Sequence, residues 1–232
     1  MSLQAPAVKL DRRAVLQRFG LLISFLVLFV ALTILSDRFL QVSNLVNILR
    51  QASINGIISV GMTLVILTGG IDLSVGSILA FSAVIGADLM KSGTPVGLAV
   101  AAALAIGAGL GAINGLIIVR GRIPAFIATL GMLTVARGLT LMYTQGQPVT
   151  SLPETFRFIG AGVVAGLPMP ILVAGLTFAV GSVLLSRTRT GEHIYLIGDN
   201  LQAARLAGLP TQFTTVLVYV ISGFCSALAG LV

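Results

Sequence analysis

The chain has 232 residues, 56% of them hydrophobic and 9% charged, with a mean hydropathy of +1.07. Its 14 Lys and Arg and 7 Asp and Glu cannot clothe 23.9 kDa in a polar shell, which excludes an ordinary soluble globule, a disordered chain and a disulfide scaffold. What remains is a polytopic helical membrane protein. The basic residues are scattered, so the positive balance is no nucleic-acid footprint. One Cys and one His leave no material for a disulfide framework or a His metal cluster.

In chain order, Met1 to Phe19 carries Lys9, Arg12, Arg13 and Arg18 ahead of the apolar run Gly20 to Ser36. No small-x-small cleavage site follows and further apolar runs come after it, so this is an uncleaved first span. The next runs are Ile54–Leu67, Val75–Met90, Val96–Val119, Ile123–Tyr143, Leu167–Ser186 and Thr214–Val232. The expected organisation is a basic cytoplasmic N-terminus over 1–19 and one transmembrane domain of about seven apolar segments over 20–232. A span needs about 20 residues. Ile54–Leu67 is too short alone and ends at Thr68-Gly69-Gly70, the mark of a broken helix beside a transport path. The last run stops in mid-helix, so the expectation is a chain truncated at its C-terminal end, with spans missing.

With the N-terminus in the cytoplasm and sides alternating, Lys9, Arg12, Arg13, Arg18, Arg120, Arg122, Arg187, Arg189 and Arg205 fall inside. Arg38, Arg50, Lys91 and Arg157 fall outside, nine against four, in the sense of the positive-inside rule. The segment 187–212 then lies in the cytoplasm. Gly107, Gly111 and Gly115 recur every fourth residue, a small-xxx-small stripe for close helix contact.

The candidate chemistry gathers in two segments. Gly69-Gly70-Ile71-Asp72-Leu73-Ser74-Val75-Gly76 permits a break, after which Asp72 or Ser74 can cap the next helix. A carboxylate among apolar spans is costly, so Asp72 is a structural cap, a substrate or gating contact, or a pairing group. Arg137 lies inside a span and calls for a partner such as Asp72 or Asp88, or for water. Asn55 and Asn114 are intramembrane polar groups that glue helices or bond a hydroxylated solute. In the second segment Asp199 or Asn200 is a good N-cap, Gln202 to Ala207 suits a short helix, and Gly208 and Pro210 stop it. A short capped helix on a cytoplasmic loop is a natural docking knob. His193 has no nucleophile in register, and no phosphate loop or H-E-x-x-H motif occurs. The chain therefore has no catalytic residues and no metal ligands to offer.

Gly69-Gly-Ile-Asp-Leu-Ser-Val-Gly-Ser77 resembles the signature of the permease subunits of ribose-type sugar ABC importers. Asn44 to Gly56, Asn114-Gly-Leu-Ile-Ile-Val and Ile123 to Gly138 match the same family in the same order. Gly191 to Gly208 resembles its coupling loop, and Gln202-Ala203-Ala204-x-x-x-Gly208 is similar to the EAA-type docking motif, with Gln in place of the usual Glu. The resemblance implies an all-α transmembrane bundle, broken near 68–75, in the bacterial inner membrane. It implies a permease without enzymatic activity that passes a ribose-like monosaccharide by alternating access. A separate cytoplasmic ATPase would hold ATP and Mg, a periplasmic or extracellular binding protein would deliver the sugar, and a second permease copy would complete a homodimer in the bilayer. Asn200, Gln202, Ala203, Ala204 and Gly208 would couple to the ATPase. Gly69, Gly70, Asp72, Ser74, Asn55, Asn114 and Arg137 would line the pathway or shape its break. The competing expectation is an ion-coupled secondary transporter of a small hydroxylated solute, with Asp72, Asp88 and Arg137 as its relay.

Overall fold

The computed structural model describes residues 12–150 and 152–232, with 12–18 as backbone only. Lys9 and the rest of residues 1–11 of the basic N-terminus lie outside the described residues. The chain runs α1 (Arg12–Leu35), α2 (Val42–Leu67), α3 (Val75–Lys91), α4 (Val96–Gly121), α5 (Ala125–Thr144) and α6 (Glu154–Ala161). A hairpin of β1 (Val163–Val164) and β2 (Leu167–Pro168) follows, then α7 (Met169–Arg187), α8 (Arg189–Asp199), α9 (Leu201–Leu206) and α10 (Thr211–Gly230). Where no water is present to satisfy backbone N–H and C=O groups, helices that bond internally are the stable answer. Five of these, α2, α4, α5, α7 and α10, are long and apolar enough to cross a membrane.

Proline sets many of the starts. Pro95, Pro124, Pro153, Pro168 and Pro210 stand immediately before α4, α5, α6, α7 and α10. Its ring fixes φ, and it lacks the N–H that a first turn cannot satisfy internally.

The structure corrects three expectations. The span thought to begin at Ile54 begins at Val42 and is 26 residues long. Arg50 and Gln51 interrupt its apolar run without interrupting the helix, because they are good helix formers. Leu167 belongs to the hairpin, whose turn residues Ala165 and Gly166 both have positive φ, the geometry that matches strand twist in a two-residue turn. The segment 187–212 is largely helical, since α8 occupies what was expected to be loop ahead of the short docking helix.

The chain divides into two units, 1–48 and 49–232. In the first, Phe29 stacks on Phe25 at 6.1 Å and meets the edge of Phe39 at 5.3 Å, and the Asn44 amide donates to the Phe39 carbonyl at 2.8 Å.

The second unit is organised around α10, which lies along α4 and also meets α3. Lipid is as apolar as leucine, so close packing and hydrogen bonds, rather than escape from water, must hold these helices together. The glycine stripe does this. A methyl group on Gly107 would lie 2.5 Å from the Ala227 methyl, and one on Gly115 would lie 2.7 Å from the Val216 Cα. At Gly111 it would overlap the Tyr219 carbonyl oxygen. Gly223 of α10 answers from the other side against Gly107. Around this seam, Leu64, Val65, Ile194, Val218 and Tyr219 form one buried cluster. Ile57, Ala174, Cys225 and Ala229 form a second. Leu98, Phe126, Ile127, Leu176 and Phe213 point outward, as suits a surface that meets acyl chains.

Candidate functional site

The break between α2 and α3 is built from its own backbone. Gly69 has φ +78°. Its N–H donates to the Ile66 carbonyl at 2.9 Å, and the Gly70 N–H reaches back to Val65 at 3.0 Å. This pair of bonds closes a helix around a left-handed glycine. Gly70 is bare for a different reason: a methyl there would lie 2.5 Å from the Tyr219 hydroxyl.

Asp72 follows and is fully buried. Its Oδ1 accepts from the Ser74 N–H at 2.9 Å and from the Ser74 hydroxyl at 2.6 Å. Its Oδ2 accepts from the Ser222 hydroxyl of α10 at 2.8 Å. Ser74 Oγ in turn accepts from the Asn114 amide of α4 at 2.9 Å. Thr129 of α5 donates to the Ile71 carbonyl at 3.1 Å. One carboxylate thus organises a polar knot that ties the break to α4 and α10, while Thr129 secures the neighbouring carbonyl to α5. Its charge sits at the N-terminus of α3, where the helix dipole favours it, and three donors replace the water it has lost.

The expected cap is met only in part. Asp72 takes the N–H of Ser74, the residue just before α3, and the Ser74 side chain makes no cap bond to the helix because its hydroxyl is spent on Asp72. Arg137 pairs with neither Asp72 nor Asp88. It is exposed, because Ala136, one residue earlier, is the position that packs, with Met132 of the same helix, against Ile78 of α3. Asp88, toward the opposite end of α3, instead accepts from the Tyr143 hydroxyl of α5. The relay of Asp72, Asp88 and Arg137 is therefore not assembled in this structure. Asn114 is buried in the knot, whereas Asn55 is exposed on α2.

The second segment lies against the first. Thr188 caps α8 by accepting from the Gly191 N–H at 3.2 Å. Asn200 caps α9 by accepting from the Ala203 N–H at 3.0 Å. Gly208, at φ +75°, closes α9 with the same pair of bonds seen at Gly69, Gly208 to Arg205 and Leu209 to Ala204. Gln202 and Ala203 are exposed, and Ala204 is buried. Gly198 of α8 packs so tightly on the Leu67 carbonyl that any side chain would overlap it. The α8–α9 segment therefore touches the end of α2 where the helix breaks.

Sequence reasoning missed Ser222, Thr129, Tyr219 and Gly198. The first of these had a signal. Tyr219, Ser222, Gly223 and Ser226 recur at helical spacing in an apolar segment, which marks one face for close, polar contact.

Around this break the ends of α2 and α4, the α8–α9 segment and the starts of α5 and α10 border an open cavity of about 640 Å³, with Arg122, Arg205 and Tyr219 in its wall.

Residues 44–232 match the family described as branched-chain amino acid transport system / permease component. The chain is 44% identical over 215 residues to the ribose import permease protein RbsC of Escherichia coli (strain K12), covering 91% of this chain and 67% of that protein. It is 43% identical over 230 residues to the protein of the same name in Bacillus subtilis (strain 168), 98% of this chain and 71% of that one. It is 36% identical over 215 residues to the L-arabinose ABC transporter permease protein AraH of Azospirillum brasilense, 93% of this chain and 63% of that one. No solved structure matches the chain. With its membrane-crossing helices and its broken α2–α3 junction, the chain belongs to this permease family, among the ribose-type ABC permeases.

Proposed function

We propose that the chain is the membrane-spanning subunit of an importer that carries a ribose-like monosaccharide inward by alternating access. Power would come from ATP and Mg bound on a separate cytoplasmic ATPase. The named sugar permeases among its relatives support the substrate class. The observation that carries the mechanism is the contact of Gly198 with the Leu67 carbonyl. A push on the α8–α9 segment is delivered to the α2–α3 break without an intervening side chain to absorb it. Asn200, Gln202, Ala203 and Gly208 would form the docking knob, with Ala204 anchoring it to the bundle. Asp72, Ser74 and Asn114 would hold the break in register with α4 and α10. Asp72 acts here as a determinant of helix geometry rather than a sugar ligand, because all its acceptor directions in use face the protein.

Charge supports one orientation. The helix ends around the large cavity share one side with the α8–α9 segment. The basic residues on and beside these ends are Arg120, Arg122, Arg187, Arg189 and Arg205. That supports placing this side in the cytoplasm. A binding protein on the opposite side and a second permease copy complete the proposed assembly.

Two measurements test this. The full-length natural protein, purified in mild detergent from its own membrane, should carry a stoichiometric ATP-binding subunit. Its absence from a folded preparation would overturn the reading. Ala203→Glu places a carboxylate on an exposed docking position, so folding should be retained. A packed interface that must bury an unpaired charge loses about tenfold or more in affinity, and sugar uptake should fall accordingly. Normal uptake by that variant would remove α9 from the interface.

A further inference from the structure

The cavity at the break gathers cationic and hydrogen-bond-donating groups from three helices. Its wall contains Arg122 from the end of α4, Arg205 from α9, and Gln212 and Tyr219 from α10. No Asp or Glu is among the described residues that line it, and neither arginine makes an ion pair with another described residue. Tyr219 is 1% exposed, yet its hydroxyl has no hydrogen-bond partner. A buried hydroxyl without a partner is rare in a native fold, and here it belongs to a residue of the cavity wall. The floor beside it, Gly69 and Gly70, carries no side chains. The site is thus rich in donors and doubly cationic, with no carboxylate among the described residues of its wall.

Arg122 adds a second oddity. It ends α4 at φ +53°, in the left-handed region. Glycine is the residue such a position favours, and an arginine there is strained.

We propose that this cavity is a binding site for a phosphate group. Two guanidinium forks match phosphate oxygens, and the Tyr219 hydroxyl supplies a third donor. On the orientation proposed above, the site lies at the cytoplasmic boundary of the bilayer. The phosphate can therefore come from the headgroup of an anionic phospholipid or from a free phosphate ion. Its occupant would sit between the docking helix α9 and the α2–α3 break, where it would bias the closure that couples them.

The test uses the full-length transporter in neutral detergent and reads its thermal unfolding midpoint. Phosphatidylglycerol, phosphatidylcholine and inorganic phosphate are added separately. Phosphatidylglycerol should raise the midpoint and phosphatidylcholine should not. A matching rise with inorganic phosphate would assign the free ion as a sufficient ligand, and no rise would assign the lipid headgroup. Either response should fall by at least about half in Arg122→Gly, as expected when one of two guanidinium contacts is removed. That variant suits the test because glycine relieves the backbone at position 122, so its unliganded midpoint should equal or exceed that of the natural protein. Tyr219→Phe should weaken the response in the same direction. Equal responses in the natural protein and both variants, an equal rise with phosphatidylcholine, or no response to phosphatidylglycerol or inorganic phosphate would overturn the proposal. The readout is binding, so its failure leaves the transport reading standing, and a failure of sugar uptake leaves this result unaffected.

Discussion

Asp72→Ala should destabilise the folded protein by about 3 kcal/mol and abolish most uptake. The carboxylate accepts three hydrogen bonds while fully buried. Removing it leaves the Ser74 N–H and the Ser74 and Ser222 hydroxyls without their acceptor in a region that water does not reach. Each stranded donor costs about 1–3 kcal/mol. The loss also falls where the break is tied to α10, so the angle between α2 and α3 is no longer held. Asp72→Asn separates the two effects. Its carbonyl oxygen still accepts from Ser74, and its amide can donate to the Ser222 oxygen. It should cost about 1 kcal/mol and keep a substantial part of uptake. Unfolding of the purified full-length protein in mixed micelles, with uptake measured in the same variants, decides this. If Asp72→Ala is as stable as the natural protein, the knot does not hold the break.

The second large effect lies on the glycine seam. Gly111→Ala adds one methyl group where the Tyr219 carbonyl already stands. Backbone cannot swing aside as a side chain can, so α4 and α10 must separate along their length. Overpacking of this kind costs about 1–3 kcal/mol, and the adjacent contacts at Gly107 and Gly115 are weakened with it. Gly109→Ala, two residues away on the same helix, is the matched control. No heavy atom stands within 4 Å of the methyl it would add, and alanine is the better helix former by about 1 kcal/mol. It should be neutral or slightly stabilising. Similar losses in both variants would mean that α4 is sensitive to any substitution and that the seam is not the cause.

Much of the architecture was legible before any coordinates. Hydropathy locates the apolar helices because lipid accepts little else. Gly69-Gly70 announces the break because one of those glycines takes a left-handed backbone, and the four-residue spacing of Gly107, Gly111 and Gly115 announces a helix contact. Asn200 and Gly208 bracket a short helix through local chemistry alone, a side-chain cap at one end and a left-handed residue at the other. All of these are decided within a few residues of chain, which is why a one-dimensional reading finds them.

What it could not find are the partners across the fold. Asp72 meets Ser222, 150 positions away, and Ser74 meets Asn114, 40 positions away. Arg137 looked like the cation Asp72 required, because both are charged and intramembrane. One residue of helical rotation turned it outward instead. Hydroxyls and an amide satisfied the carboxylate, and nothing local distinguishes those groups from any other small polar residue in a span. Gly198 looked like an ordinary helical glycine until the Leu67 carbonyl stood against it. The residues alone determined the helices, the break and the short capped helix α9, since backbone hydrogen bonding and hydropathy are local or additive. Only the tertiary structure decided which groups meet at the break, because that depends on how the helices rotate and pack against one another.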